Sequence, residues 1–153
     1  MNISSADELG PVFADVLTEV VSTMSGFSLN VLSSERDAGF DERIGMMNLN
    51  GEKSGMLFIS AGEADMRILC SFIIGVPKDE VTKDDIDDAL CELVNMTAGN
   101  AKLRLSGTDY TFNLSPPFII SGKNMSIVTK KRTSVVSRVL GDGEISVKLK
   151  VVY

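Results

Sequence analysis

The chain has 153 residues, 44% of them apolar, which suits one globular domain over 1–153 with a sizeable buried core. Its net charge of −6 and pI near 4.6 turn most of the surface against nucleic-acid phosphates and anionic membranes, so neither is an expected partner. No apolar run approaches the ~20 residues of a membrane span, and residues 1–10 lack the basic and apolar parts of a signal peptide, so a cytoplasmic location is expected.

In chain order, Ser5-Ala6-Asp7-Glu8 has the form of a capping box and Pro11 suits an early helical position. A first helix is predicted from near Pro11 to Met24, ended by Gly26, with Val12, Val16, Leu17, Val20, Val21 and Met24 on its apolar face. Alternating or β-branched runs predict antiparallel strands at Phe27–Leu32, Arg43–Leu49 and Met56–Ser60, the last two joined by a hairpin through Asn50-Gly51. Helical spacing returns over Ala64–Ile74 and stops at Gly75, followed by a short connector, Val76-Pro77-Lys78. Thr82 can cap a further helix reaching about Leu105. Asp84, Asp85, Asp87 and Asp88 crowd its first turns, where carboxylates complement the helix dipole. Short strands are predicted near Tyr110–Leu114, Phe118–Ser121, Ser126–Lys130 and Ser134–Leu140, and a last one at Ile145–Val152. Pro116-Pro117 belongs at an edge or turn.

Set against itself at an offset of roughly 73 residues, the sequence lays Asp15-x-x-x-Glu19-x-x-Ser22-x-x-x-Gly26 over Asp88-x-x-x-Glu92-x-x-Asn95-x-x-x-Gly99. A weaker echo, at a larger offset, pairs Asn50-Gly51-Glu52 with Asp142-Gly143-Glu144. Repeats of roughly 1–75 and 76–153, each a long helix followed by antiparallel strands, imply an α+β fold with a pseudo-two-fold axis and its helices packed on one antiparallel sheet.

Histidine is absent, which removes the commonest general base and the commonest zinc ligand; triad hydrolases and ordinary zinc enzymes are disfavoured. Cys70 and Cys91 read as reduced, buried thiols in helices, and Lys130-Lys131-Arg132 is too short a basic run to argue for nucleic acid. On a helix advancing about 100° per residue, Asp88, Glu92, Asn95 and Gly99 share a band roughly 60° wide. Ile86, Leu90, Leu93, Val94, Thr97 and Ala101 fall opposite. A polar stripe is ordinarily solvated surface, but Asn is a poor choice inside a helix and Gly99 costs up to about 1 kcal/mol there. Both fit a face that something approaches closely. A neutral amide can orient one water for attack on a phosphoryl group, a reaction governed by positioning and electrostatics.

Asp88-x-x-x-Glu92-x-x-Asn95, followed by Met-Thr-Ala-Gly-Asn and then by Pro117, resembles the motif of the CheC/CheX/FliY chemotaxis phosphatases. The preceding Ile-Ile-Gly helix end, the acidic connector and the Ser-Pro-Pro strand entry are similar to the CheX type. The resemblance implies a phosphatase acting on the phospho-aspartate of a CheY-like response regulator. In that scheme Asn95 orients the water, Glu92 docks on the receiver's lysine and Asp88 supports; Gly99 gives clearance. It also implies a homodimer, with the Val-rich last strand as a possible edge, and Mg²⁺ on the receiver with no metal or cofactor of the chain's own. Ser22 replaces the needed Asn beside Asp15 and Glu19, so the first helix is expected to carry a degenerate site and the chain one working site. The competing reading is a module of the same fold that binds receivers or motor components without turnover. An unrelated enzyme using Asp88 and Glu92 as acid and base is disfavoured, since both sit where the helix dipole favours ionised carboxylates.

Overall fold

The structure, a computed structural model, describes residues 1–33, 39–128, 130 and 134–153. Three helices pack on an antiparallel sheet: α1 (Leu9–Ser25), β1 (Asn30–Ser33), β2 (Arg43–Gly51), β3 (Gly55–Ser60), α2 (Glu63–Ile74), α3 (Lys83–Arg104), β4 (Phe112–Asn113), β5 (Phe118–Ser121), β6 (Val135–Gly141) and β7 (Ser146–Val152). No helix among the described residues is long and apolar enough to cross a membrane.

The sheet explains both echoes in the sequence. Its order is β1-β6-β7-β3-β2, with β4 and β5 both paired to the far side of β2, and every pairing is antiparallel. Exchanging β1, β2 and β3 with β5, β6 and β7 reverses the order β1-β6-β7-β3-β2-β5 and leaves it unchanged. The pseudo-two-fold axis therefore passes between β7 and β3. Asn50-Gly51, at the end of β2, and Asp142-Gly143, in the turn after β6, stand at nearly matching places in the two halves. The offsets differ because many more residues separate Gly99 from β5 than Gly26 from β1, among them the end of α3 and all of β4, and because the link from β5 to β6 is longer than that from β1 to β2.

Alternation along the strands divides the core. Met47 and Leu49, Leu57 and Ile59, and Val147, Leu149 and Val151 point to the helices and form one cluster with Val16, Leu17, Leu90 and Leu93. Ile44, Met46, Phe58 and Val152 point to the opposite face, where Phe40, Met125 and Ile127 cover them.

Several sequence expectations are corrected. Ser5 makes no side-chain cap bond and opens only a short 3-10 turn, because the Glu8 carboxylate accepts from the nearer Ser4 N–H and hydroxyl instead. Phe27 is outside the first strand, stacked edge-on against Phe72 of α2 with centroids 5.0 Å apart. Asn50-Gly51 is not a two-residue turn: both residues continue β2 and pair with Asn113 and Phe112, and the loop spans 52–54. A side chain at Gly51 would strike the Thr111 carbonyl, so this glycine serves close approach of β4. Residues 126–128 form no strand; Ile127 packs on the sheet's helix-free face, and Thr129 lies outside the described residues. Lys131 and Arg132 of the basic run lie outside them as well. The last strand, β7, is no edge, since it is paired on both sides by β3 and β6.

The capping box that does form is at Thr82. Its Oγ1 accepts from Asp85 N–H at 3.1 Å, and the Asp85 carboxylate accepts from Thr82 N–H at 2.9 Å. Thr82→Ala is expected to lower unfolding free energy by about 1 kcal/mol in urea denaturation with an unchanged m-value. An unmoved midpoint would mean that the box contributes nothing.

Candidate functional site

The site begins with what holds α3 in place. Ile86, Ala89, Leu90, Leu93, Val94, Thr97, Ala98 and Ala101 are buried, so the helix has one broad face on the core. Beneath it β2 carries Gly45. A Cβ there would stand 2.7 Å from Val94 Cγ2 and 3.0 Å from Leu90 Cγ, so glycine lets the helix lie directly on the strand. Two residues earlier, Arg43 pairs with Asp87 and ties the first turns of α3 to the same strand. The Cys70 thiol of α2 donates to the Asp85 carbonyl at 3.4 Å.

The outward face is therefore well determined. Asp88, Glu92 and Asn95 are exposed and Gly99 is half-buried, as the periodicity predicts. Among the described residues, none of the three side chains is engaged in a hydrogen bond or ion pair. A Cβ at Gly99 would meet no heavy atom within 4 Å, so the chain's own packing does not require glycine there. Cys91, expected to be buried, is only half-buried at the flank of the stripe, while Cys70 is fully buried; both thiols are free. Burial first, then the charges of Asp87 and Asp88, pushes the Cys91 thiol up and disfavours its thiolate.

The first-helix copy is also exposed at Asp15, Glu19 and Ser22. It differs in that the Glu19 carboxylate is paired with Arg104 from the end of α3. No described group of three or more Asp, Glu or Cys residues is placed to hold a metal ion.

The α3 face can thus offer a carboxylate and, one turn on, an amide in fixed relative position, both free for a second molecule. It offers no imidazole, since the sequence has no histidine, and the only titratable groups of the Asp88 to Gly99 stripe are carboxylates. Such a surface suits completing another protein's active centre better than running a reaction alone. Sequence reasoning missed Gly45, Arg43 and Arg104. A glycine inside a strand pattern is a signal of close backbone approach and could have pointed to Gly45. The two arginines carry no local signal, because their partners are distant in sequence.

The family model of the chemotaxis phosphatase CheX matches residues 43–139. No protein of curated function matches the sequence significantly. Among solved structures, the chain is similar to the chemotaxis protein CheX of Vibrio vulnificus, at 20% identity and a TM-score of 0.81, over 94% of this chain and 97% of that one. It is similar to a CheC-like superfamily protein of Shewanella sp. PV-4, at 23% identity and a TM-score of 0.77, over 97% of each chain. A third is the CheX of the Borrelia burgdorferi CheX-CheY-BeF3-Mg²⁺ complex, at 20% identity and a TM-score of 0.79, over 92% of this chain and 94% of that one.

Two substitutions separate the backing of α3 from its face. Gly45→Ala overpacks Leu90 and Val94 and is expected to cost about 1–3 kcal/mol in chemical denaturation. Gly99→Ala adds a methyl to open space and is expected to raise stability by up to about 1 kcal/mol. A destabilising Gly99→Ala would show that this glycine serves the chain's own packing.

Proposed function

The chain belongs to the CheX family of chemotaxis phosphatases, and from that footing we propose that it hydrolyses the aspartyl phosphate of a CheY-like response regulator at the exposed face of α3. One observation carries the reading: Glu92 and Asn95 stand exposed, one turn apart, on a helix whose other face is locked into the core. Glu92 docks on the active-site lysine of the receiver and sets the register of the helix against it. Asn95 then lies over the phosphoryl group, where its amide both donates to and accepts from one water. The water oxygen bonds to phosphorus as the bond from phosphorus to the aspartate oxygen breaks. Inorganic phosphate and a free carboxylate are left. A carboxylate leaves readily, so aligning the water is the main contribution asked of this chain.

Asp88 supports the face with negative charge, and Gly99 leaves clearance for the partner's surface. The Mg²⁺ belongs to the receiver, where it neutralises charge on the phosphoryl oxygens, and this chain brings no cofactor of its own. The Borrelia burgdorferi complex, with CheX, CheY, BeF3 and Mg²⁺ in one crystal structure, supports the partner class. The first helix, with Ser22 in place of the amide, is the degenerate copy, giving one working site per chain. A homodimer is part of the same reading. With β7 inside the sheet, its contact falls to the outer strands, β1 or the β4 and β5 side.

The test is the decay of a panel of acyl-phosphorylated CheY-like receivers with wild type and variants. Asn95→Ala is expected to slow the accelerated decay by about 100-fold, the scale of losing a positioned reactant. Glu92→Ala is expected to act chiefly by raising KM. An Asn95→Ala chain as active as wild type would remove the amide from the mechanism. Binding of receivers by both, with turnover by neither, would favour the module that binds receivers or motor components without catalysis.

A further inference from the structure

The two long helices carry the same pattern as far as a glycine and then diverge. Gly26 adopts a left-handed φ of 83° and ends α1. Gly99, at the matching place in the repeat, stays helical, and α3 runs on to Arg104. This added stretch carries the Arg104 guanidinium onto Glu19, the glutamate of the first-helix copy. Its counterpart Glu92 has no ion pair among the described residues. The clasp does little for stability: the Glu19 side chain is 63% exposed and that of Arg104 32%, and pairs this open contribute little. Its effect is directional. The guanidinium holds one oxygen of the carboxylate that a docking lysine needs, and it sets a positive charge where the lysine's own charge would arrive.

We infer that Arg104 silences the first-helix face by occupying Glu19, and that removing this clasp while placing an amide at Ser22 opens a second phosphatase site on the chain. The inference rests on the phosphatase reading of α3. Two locks then hold the number of sites at one: the short side chain of Ser22 and the charge of Arg104.

The test uses the receiver that wild type dephosphorylates fastest, with Asn95→Ala as the background that switches off α3. Into it go Ser22→Asn alone, Ser22→Asn with Arg104→Gln, and Ser22→Asn with Arg104→Lys. Ser22→Asn alone is expected to stay near background, and adding Arg104→Gln to raise the decay rate roughly tenfold or more, as removal of a like-charge clash does. Arg104→Lys keeps the charge and should leave the face closed. With Asn95 intact, Ser22→Asn/Arg104→Gln should bind two receivers activated with beryllium fluoride per chain instead of one by titration calorimetry, a change that loosening of the α3 end would not produce. Three results would overturn the inference: full activity from Ser22→Asn alone, equal opening by Arg104→Lys, or a Ser22→Asn/Arg104→Gln chain that is folded by circular dichroism yet remains at background while wild type is active. A wild type inert toward every receiver sinks the phosphatase reading itself and shows before any variant is made.

Discussion

The close approach of α3 to β2 over Gly45 is the constraint on which the site depends. An α-helix is stiff enough that seating Leu90 and Val94 on the strand also determines where the residues on the far side project. The Arg43 to Asp87 pair, drawn from the same strand, resists rotation of the helix, and the Thr82 box determines where it begins. Glu92 and Asn95 thus inherit their positions from the core and need no side-chain partners of their own. Working groups must be held within about 0.5 Å of a productive geometry, and a helix on a sheet does this better than a loop.

The symmetry of the sheet makes the asymmetry of the helices informative. Strand order is unchanged by exchanging the halves, so the backbone offers two comparable helix faces. What separates them is local: an amide against a hydroxyl at Asn95 and Ser22, a helix that continues past Gly99 against one that stops at Gly26, and a free glutamate against a paired one. The α2 helix, which follows β3, touches both halves: its Cys70 thiol donates to the Asp85 carbonyl of α3 and its Phe72 packs on Phe27 just after α1.

Most of the architecture was legible where periodicity and punctuation act locally. The ends of α1 and α2 at Gly26 and Gly75, the cap at Thr82 and the buried set on α3 all follow from nearest-neighbour chemistry. The errors lie where a distant segment competes with a local preference. Asn50-Gly51 is a strong turn signal, yet pairing with β4 keeps both residues extended. The run through Ile127 alternates like a strand but serves to cover the apolar cluster around Ile44 and Phe58. The final strand reads equally well as edge or centre, because alternation says nothing about neighbours. Within the site, the stripe was visible in the spacing of Asp88, Glu92 and Asn95. Its backing at Gly45 and the clasp at Arg104 were not, since both depend on partners more than forty residues away in sequence.

The place of β7 also bears on how the chain acquires its structure during synthesis. The middle of the sheet is built from β3 and β7, and β1 finds its partner only in β6, so neither half can complete its hydrogen-bond ladder alone. A ribosome that has made the first helix and three strands has produced a hairpin with apolar residues on both faces and an unpaired β1. Pairings between such distant segments are slow to form and leave strand edges exposed in the interval. The interlocked halves that give this protein its symmetry therefore leave its sheet incomplete until residues 135–152 have emerged.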